Sequence, residues 1–216
     1  MKTYQRTFLE QAMAKQALKF GEFTLKSGRK SPYFFNIGSF DDGLSLRIAG
    51  EAYADCIEEN GFEYDVLFGP AYKGIPLAVA TVMALNAHAH EVNMPYAFNR
   101  KEVKDHGEGG QLVGADIAGK RVLVIDDVIT AGTAFRQAHA MITSAGGQVV
   151  GLVTALNREE RAQSELPAME ELSQMFQMPV ASITSLSNII DMVRDDTDLS
   201  ENLPKLLMHR EQYGQG

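Results

Sequence analysis

The sequence predicts an α/β domain built on a mostly parallel sheet flanked by helices. Three observations carry this. Short apolar segments at 64–68, 121–125, 149–156 and 180–184 read as strands, and helical stretches run between them. Glycine-marked turns punctuate the alternation, at 69–74 and again at 146–147. The 216 residues show no composition break, repeat or linker, so a single domain over 1–216 is expected.

In chain order, residues 4–19 are expected to form a helix, with Phe8, Ala12, Lys15 and Lys19 about one turn apart. Phe23 and Leu25 alternate with polar neighbours. Ser27-Gly28 then marks a turn before Ser31-Pro32-Tyr33-Phe34-Phe35, giving a small hairpin-like region within about the first 40 residues. Asp41 or Asp42 can cap a helix that runs to about Asn60 and stops at Gly61. Tyr64–Phe68 is a short strand, Gly69-Pro70-Ala71-Tyr72-Lys73-Gly74 a loop, and Ile75–Ala87 a helix. A strand is expected at 95–98, then a polar, glycine-rich loop from Arg100 to Gly114. Arg121–Ile125 is the clearest strand, with three β-branched residues in five. Helix 133–145 ends at Gly146-Gly147, Val149–Leu156 is a strand, and Val180–Thr184 is a strand with a helix after it.

Composition narrows the function. Hydrophobic residues make up 45% and charged residues 22%, as in ordinary globular chains. The net charge of −8 disfavours a duplex-binding surface, so nucleic acid is not an expected partner. One cysteine, Cys56, cannot form an internal disulfide and reads as a small buried hydrophobe. Residues 1–6 lack the apolar run of a signal peptide, and no apolar stretch approaches a bilayer-spanning length, so no membrane partner and a cytoplasmic location are expected.

The strongest motif is Val122-Leu123-Val124-Ile125-Asp126-Asp127-Val128-Ile129-Thr130-Ala131-Gly132-Thr133-Ala134. An apolar strand delivers two acids at its carboxyl end, and a short Thr/Gly loop opens a helix. Ligands of open α/β sheets bind beyond the carboxyl ends of the strands, and the free N–H groups of a helix start attract anions. Gly132 allows close backbone approach, and Thr130 and Thr133 add hydroxyl donors, so a phosphate fits at 130–134. Two carboxylates would repel that phosphate unless they face another part of the ligand. Ribose hydroxyls suit them, as does a magnesium ion held through water. On the residues alone, a receiver-type phosphoacceptor pair and a generic strand–loop–helix corner remain alternatives.

This segment resembles the phosphoribosyl pyrophosphate (PRPP) signature of type I phosphoribosyltransferases. Three further stretches resemble bacterial orotate phosphoribosyltransferases: Phe20–Asn36 their N-terminal hood, Gly69–Pro76 their pyrophosphate loop, and Asn99-Arg100-Lys101-Glu102-Val103-Lys104-Asp105-His106-Gly107-Glu108-Gly109-Gly110 their mobile catalytic loop. The likeness runs from about Tyr4 to Arg158 and is traceable to the C-terminus. It implies the type I phosphoribosyltransferase fold with a small hood, transfer of phosphoribosyl from PRPP to orotate in UMP biosynthesis, a Mg2+ cofactor, and a homodimer in which the catalytic loop is shared between subunits. It also implies a cis peptide before Tyr72.

The resemblance implies that PRPP is held by Lys26, Tyr72, Lys73, Arg100, Lys101, Lys104, His106, Asp126, Asp127, Val128, Ile129, Thr130, Ala131, Gly132, Thr133 and Ala134. Lys101, Lys104, Asp126 and Asp127 are the expected catalytic residues, and the two aspartates the expected metal site, acting through water. Orotate is expected against Lys26, Phe34, Phe35, Thr130 and Arg158. The chemistry agrees. Cations closing over pyrophosphate stabilise the charge that builds on it as it leaves, and Gly107, Gly109 and Gly110 let such a loop open and close. The planar fork of Arg158 suits a carboxylate or a carbonyl edge, and Phe34-Phe35 can offer backbone groups to a flat ring. His88 and His90 are two apart and cannot share a helix face, so no metal pair is expected there. His139 and His209 show no partner in the sequence. Two rival classes are a purine-specific transferase of the same fold and a non-catalytic ligand-sensing module.

Overall fold

The computed structural model describes residues 1–25, 28–88, 93–104, 110–129, 132–161 and 166–214, with backbone only at 103, 104 and 110. The chain runs α1 (Thr3–Ala14), β1 (Leu18–Thr24), β2 (Lys30–Phe35), α2 (Gly43–Glu59), β3 (Val66–Gly69), α3 (Gly74–His88), β4 (Tyr96–Lys104), β5 (Gly110–Gly114), β6 (Arg121–Val128), α4 (Thr133–Ser144), β7 (Gln148–Asn157), α5 (Ala168–Phe176), β8 (Val180–Ser185), α6 (Leu186–Asp195) and α7 (Leu203–Tyr213). The main sheet has six strands in the order β5-β4-β3-β6-β7-β8. All its neighbours are parallel except β4 and β5. β1 and β2 form a separate antiparallel pair.

Alternation along the strands divides the core into two layers. Leu67, Leu123, Ile125, Val153, Ala155 and Ile183 point to one face, where α1, α2, α3, α6 and α7 pack. Val66, Phe68, Val122, Val124 and Leu152 point to the other, which Phe135, Ala138 and Ile142 of α4 and Leu172 of α5 cover. Both faces are therefore buried, which is why these strands read as continuous apolar runs. The β1–β2 pair joins the first layer through Leu18, Tyr33 and Phe35, against Phe8 and Leu9 of α1.

Four differences from the sequence reading have physical causes. The first helix ends at Ala14, not near 19, because Leu18–Thr24 pairs with β2 and tertiary pairing overrides helical spacing. The stretch Arg100–Gly114, expected as a loop, is largely a hairpin: β4 runs on to Lys104 and pairs with β5. Backbone pairing needs no apolar side chains, so a polar composition hid it. Helices α5 and α7, neither of them expected, complete the fold. His209 on α7 does have a partner, the Glu160 carboxylate at 2.9 Å. The cap of α2 is Asp42, whose carboxylate accepts from the Ser45 N–H at 2.8 Å.

Candidate active site

Strands β3, β6 and β7 are parallel neighbours, so the loops after them converge at one end of the sheet. β3 ends in the loop 70–73. There Gly69 and Gly74 lie so close that a Cβ on Gly69 would run into the Gly74 carbonyl oxygen, which folds the loop tightly back onto the strand. The Ala71–Tyr72 peptide is cis, as the resemblance implied. The Ala71 N–H donates to the Asn99 side chain at 2.9 Å, which ties this loop to β4. Tyr72 is 65% exposed. The Lys101 ammonium lies 4.4 Å from the centre of its ring, so the third and fourth strands bring Tyr72, Lys73, Arg100 and Lys101 to one edge.

β6 delivers the two acids. Asp126 is nearly buried and Asp127 half-buried. Each spends one carboxylate oxygen on the next backbone N–H: Asp127 N–H to Asp126 Oδ1 at 2.8 Å, and Val128 N–H to Asp127 Oδ1 at 2.7 Å. The remaining oxygen of Asp127 takes the Lys73 ammonium at 2.8 Å, which joins the two loops directly. From below, the buried Tyr53 hydroxyl donates to the Asp126 carbonyl at 2.7 Å. Burial, followed by the adjacent Asp127 charge, pushes the Asp126 carboxyl up to about 6. Gly132 then caps α4 at φ +68, with a Cβ position hard against Leu172 of α5. Thr133 and Ala134 follow as exposed residues in the first turn of α4, and Val128 and Ile129 lead into the loop.

The acids suit a cation of oxygen chemistry held at one remove. They supply hard oxygen donors carrying more negative charge than Lys73 offsets, but two side chains are no complete cage. The one group of three possible metal ligands among the described residues, Asp55, Glu58 and His88, lies elsewhere, at the far end of α3 from the Tyr72–Lys73 loop.

After β7 comes Arg158, only 6% exposed. Its guanidinium donates from Nε to Glu160 at 2.8 Å and from Nη2 to the Ser31 hydroxyl at 2.9 Å, and lies 4.3 Å from the centre of the Tyr33 ring. These contacts bring β2 to the end of β7. On β2 the pleat separates the two phenylalanines. Phe35 is buried in the core, while Phe34 is exposed and packs on Phe23 at 5.5 Å. Because β2 belongs to a two-stranded sheet, one edge of its backbone has no strand partner among the described residues. Lys26, His106, Thr130 and Ala131 lie outside the described residues, and Lys104 is described by its backbone alone. Asn99, Tyr53, Glu160 and His209 are supporting residues that the sequence reading assigned no role. Their partners are 28, 73, 2 and 49 positions away along the chain, and only the short Arg158–Glu160 spacing was visible in advance.

A strand-end pair of acids beside a glycine-opened helix, faced by a cationic loop, is an arrangement for a sugar phosphate. The comparisons agree: residues 38–179 match the phosphoribosyl transferase domain, and the chain belongs to that class. It is 53% identical to an orotate phosphoribosyltransferase of Pseudomonas aeruginosa over 214 residues, covering 99% of this chain and all of that one. It is 50% identical to an Escherichia coli orotate phosphoribosyltransferase with the same coverage. The crystal structure of orotate phosphoribosyltransferase from Francisella tularensis superposes with a TM-score of 0.85 at 43% identity, covering 96% of this chain and 98% of that one. Within its class, then, the chain belongs to the orotate phosphoribosyltransferases.

Proposed function

We propose that the chain transfers the phosphoribosyl group of PRPP to orotate, giving orotidine 5'-monophosphate and pyrophosphate in pyrimidine biosynthesis. The observation that carries this is the corner where Asp126 and Asp127 meet the Gly132 opening of α4, within a chain aligned over its whole length with enzymes of that name.

Substitution takes place at ribose C1. A ring nitrogen of orotate gives up its proton, to the departing pyrophosphate or to solvent, and forms the new bond as the C1–oxygen bond breaks, with strong oxocarbenium character. No side chain acts as nucleophile; the protein contributes position and field. Thr130, Ala131, Gly132, Thr133 and Ala134 hold the 5-phosphate, and Val128 and Ile129 also line PRPP. Asp126 and Asp127 accept from the ribose hydroxyls and, through water, place Mg2+, which when bound offsets the charge of the pyrophosphate. Lys26, Tyr72, Lys73, Arg100, Lys101, Lys104 and His106 meet the pyrophosphate. Exchange of Lys73 from Asp127 to a phosphate is cheap, since an exposed ion pair contributes only about 0–1 kcal/mol. Lys26, Phe34, Phe35, Thr130 and Arg158 meet orotate. The active form is a homodimer in which each site takes its catalytic loop from the other subunit. The enzyme acts in the cytoplasm, in keeping with a single buried cysteine. Among the described residues no helix is long and apolar enough to cross a membrane.

The test is the loss of orotate absorbance with PRPP, with and without magnesium, run beside hypoxanthine and adenine. Orotate is expected to be consumed only with the metal present, and the purines not at all. Turnover of a purine instead, or PRPP binding without any turnover, would overturn the proposal.

A further inference from the structure

Arg158 does not reach the base side of the site as a loose surface cation. It is the visible tip of a buried charged relay that runs to the C-terminal helix. Glu160 sits between Arg158 and His209, with one carboxylate oxygen shared by the Arg158 Nε at 2.8 Å and the His209 Nε2 at 2.9 Å. Its second oxygen faces Arg29 at 3.5 Å. Arg158 and His209 are almost fully buried and the Glu160 side chain is 10% exposed, so this is an interior network. Burial acts to raise the Glu160 carboxyl, but the hydrogen bond from His209 and the charge of Arg158 outweigh it and hold the group below its ordinary value.

The backbone between these residues is pinned as well. Glu159 takes φ +53, its N–H donates to Asn157 Oδ1 at 2.9 Å, and its own carboxylate accepts from the Ser187 N–H at 2.9 Å at the start of α6. His209 is fixed in turn by ring contacts with Tyr33 at 5.9 Å and Tyr213 at 5.0 Å. Such a relay exceeds what packing alone requires. An apolar cluster of the same volume would stabilise the interior at least as well, because buried ion pairs lose much of their attraction to desolvation. What the relay does provide is a single orientation of a planar fork.

We infer that Glu160 and His209 are positioning residues for orotate: His209, reaching in from α7, orients the Glu160 carboxylate, and Glu160 sets the plane in which Arg158 meets the base. Neither touches substrate. The inference rests on the proposed reaction and on the place of Arg158 within it, so the test separates the three. Wild-type protein is first assayed for orotate turnover, and no turnover overturns the reaction itself. Arg158→Lys is then measured. An orotate KM equal to wild type removes Arg158 from the site and the relay with it. His209→Leu and His209→Gln follow, the second keeping a side-chain nitrogen that can donate to Glu160. The expected result is an orotate KM raised about tenfold in His209→Leu, the scale of one hydrogen bond to a charged group, with the PRPP KM unchanged. His209→Gln, which leaves the packing nearly intact, is expected to recover most of that loss. An unchanged orotate KM in folded His209→Leu overturns the inference. So do KM values for both substrates that rise together. If His209→Leu fails to fold, the inference is carried by Glu160→Gln, which keeps the shape and removes the charge; an orotate KM at the wild-type value there overturns it.

Discussion

The two halves of the site handle charge in opposite ways. On the phosphate side, among the described residues, two adjacent carboxylates meet one lysine. Asp126 and Asp127 stand side by side, Lys73 pairs with Asp127, and Asp126 is pushed up to about 6 by burial and its neighbour. On the base side, among the described residues, Glu160 gathers Arg158, His209 and Arg29 into one network. The contrast suits the proposed ligands. A sugar pyrophosphate arrives with many hydroxyls and charges, and unmatched groups gain by meeting them. A flat ring needs a fixed edge more than added charge, and a matched network supplies rigidity. The phosphate side should therefore be rich in activity and poor in stability, and the base side the reverse.

The largest effect is expected from removing charge on the phosphate side. Lys101→Ala and Asp127→Asn should each lower kcat/KM by about a hundredfold or more while leaving the melting temperature close to wild type, on the scale of losing one charge-stabilising group in an active site. Mixing the two inactive proteins should restore part of the activity in hybrid dimers if the loop is shared between subunits. Chromatographically verified hybrids with no recovery would contradict the shared site.

Asp126→Asn should separate the two sides through pH. The folded-state pKa of Asp126 lies above its unfolded value, so stability from this group is present at low pH and lost as pH rises through about 6. The asparagine variant should therefore be more stable than wild type at pH 8, by about 1–3 kcal/mol, with the difference vanishing near pH 4. Denaturant unfolding at the two pH values measures this, and a constant difference would contradict it. Gly132→Ala comes next. It places a Cβ at φ +68 against Leu172 and should cost about 1–2 kcal/mol along with PRPP affinity, read by thermal melts and titration. The smallest effect is expected on the base side. The Tyr33 hydroxyl is buried without a hydrogen-bond partner among the described residues, so Tyr33→Phe should leave stability unchanged or raise it by about 1 kcal/mol, keeping the ring under Arg158. A loss of stability would show that the hydroxyl has a partner.

The same contrast explains what could be read in the sequence. The phosphate side is local. An apolar β-branched run, two acids, a glycine and a helix start lie within residues 122–134, and each has a residue-type signature. Strands β3, β6 and β7 were legible because burial on both faces leaves continuous apolar segments, and the edge strand β8 from Val180, Ala181 and Ile183. The base side is assembled from a distance. Ser31 and Arg158 are 127 positions apart, and His209 and Glu160 are 49 apart, so no local pattern joins them. Arg158 could be named only because it follows a strand and matches a family position. The hairpin of β4 and β5 stayed hidden because its polar residues carry the composition of a loop, and the end of α1 because pairing with β2 decided it.

In the proposed complex the acids of β6 and the opening of α4 hold the two ends of one sugar phosphate. A crystal structure with PRPP and magnesium tests it most directly. The 5-phosphate should lie against the backbone of residues 130–134, with the ribose hydroxyls within hydrogen-bond distance of Asp126 and Asp127. A phosphate bound elsewhere, or ribose turned away from both carboxylates, would contradict the account.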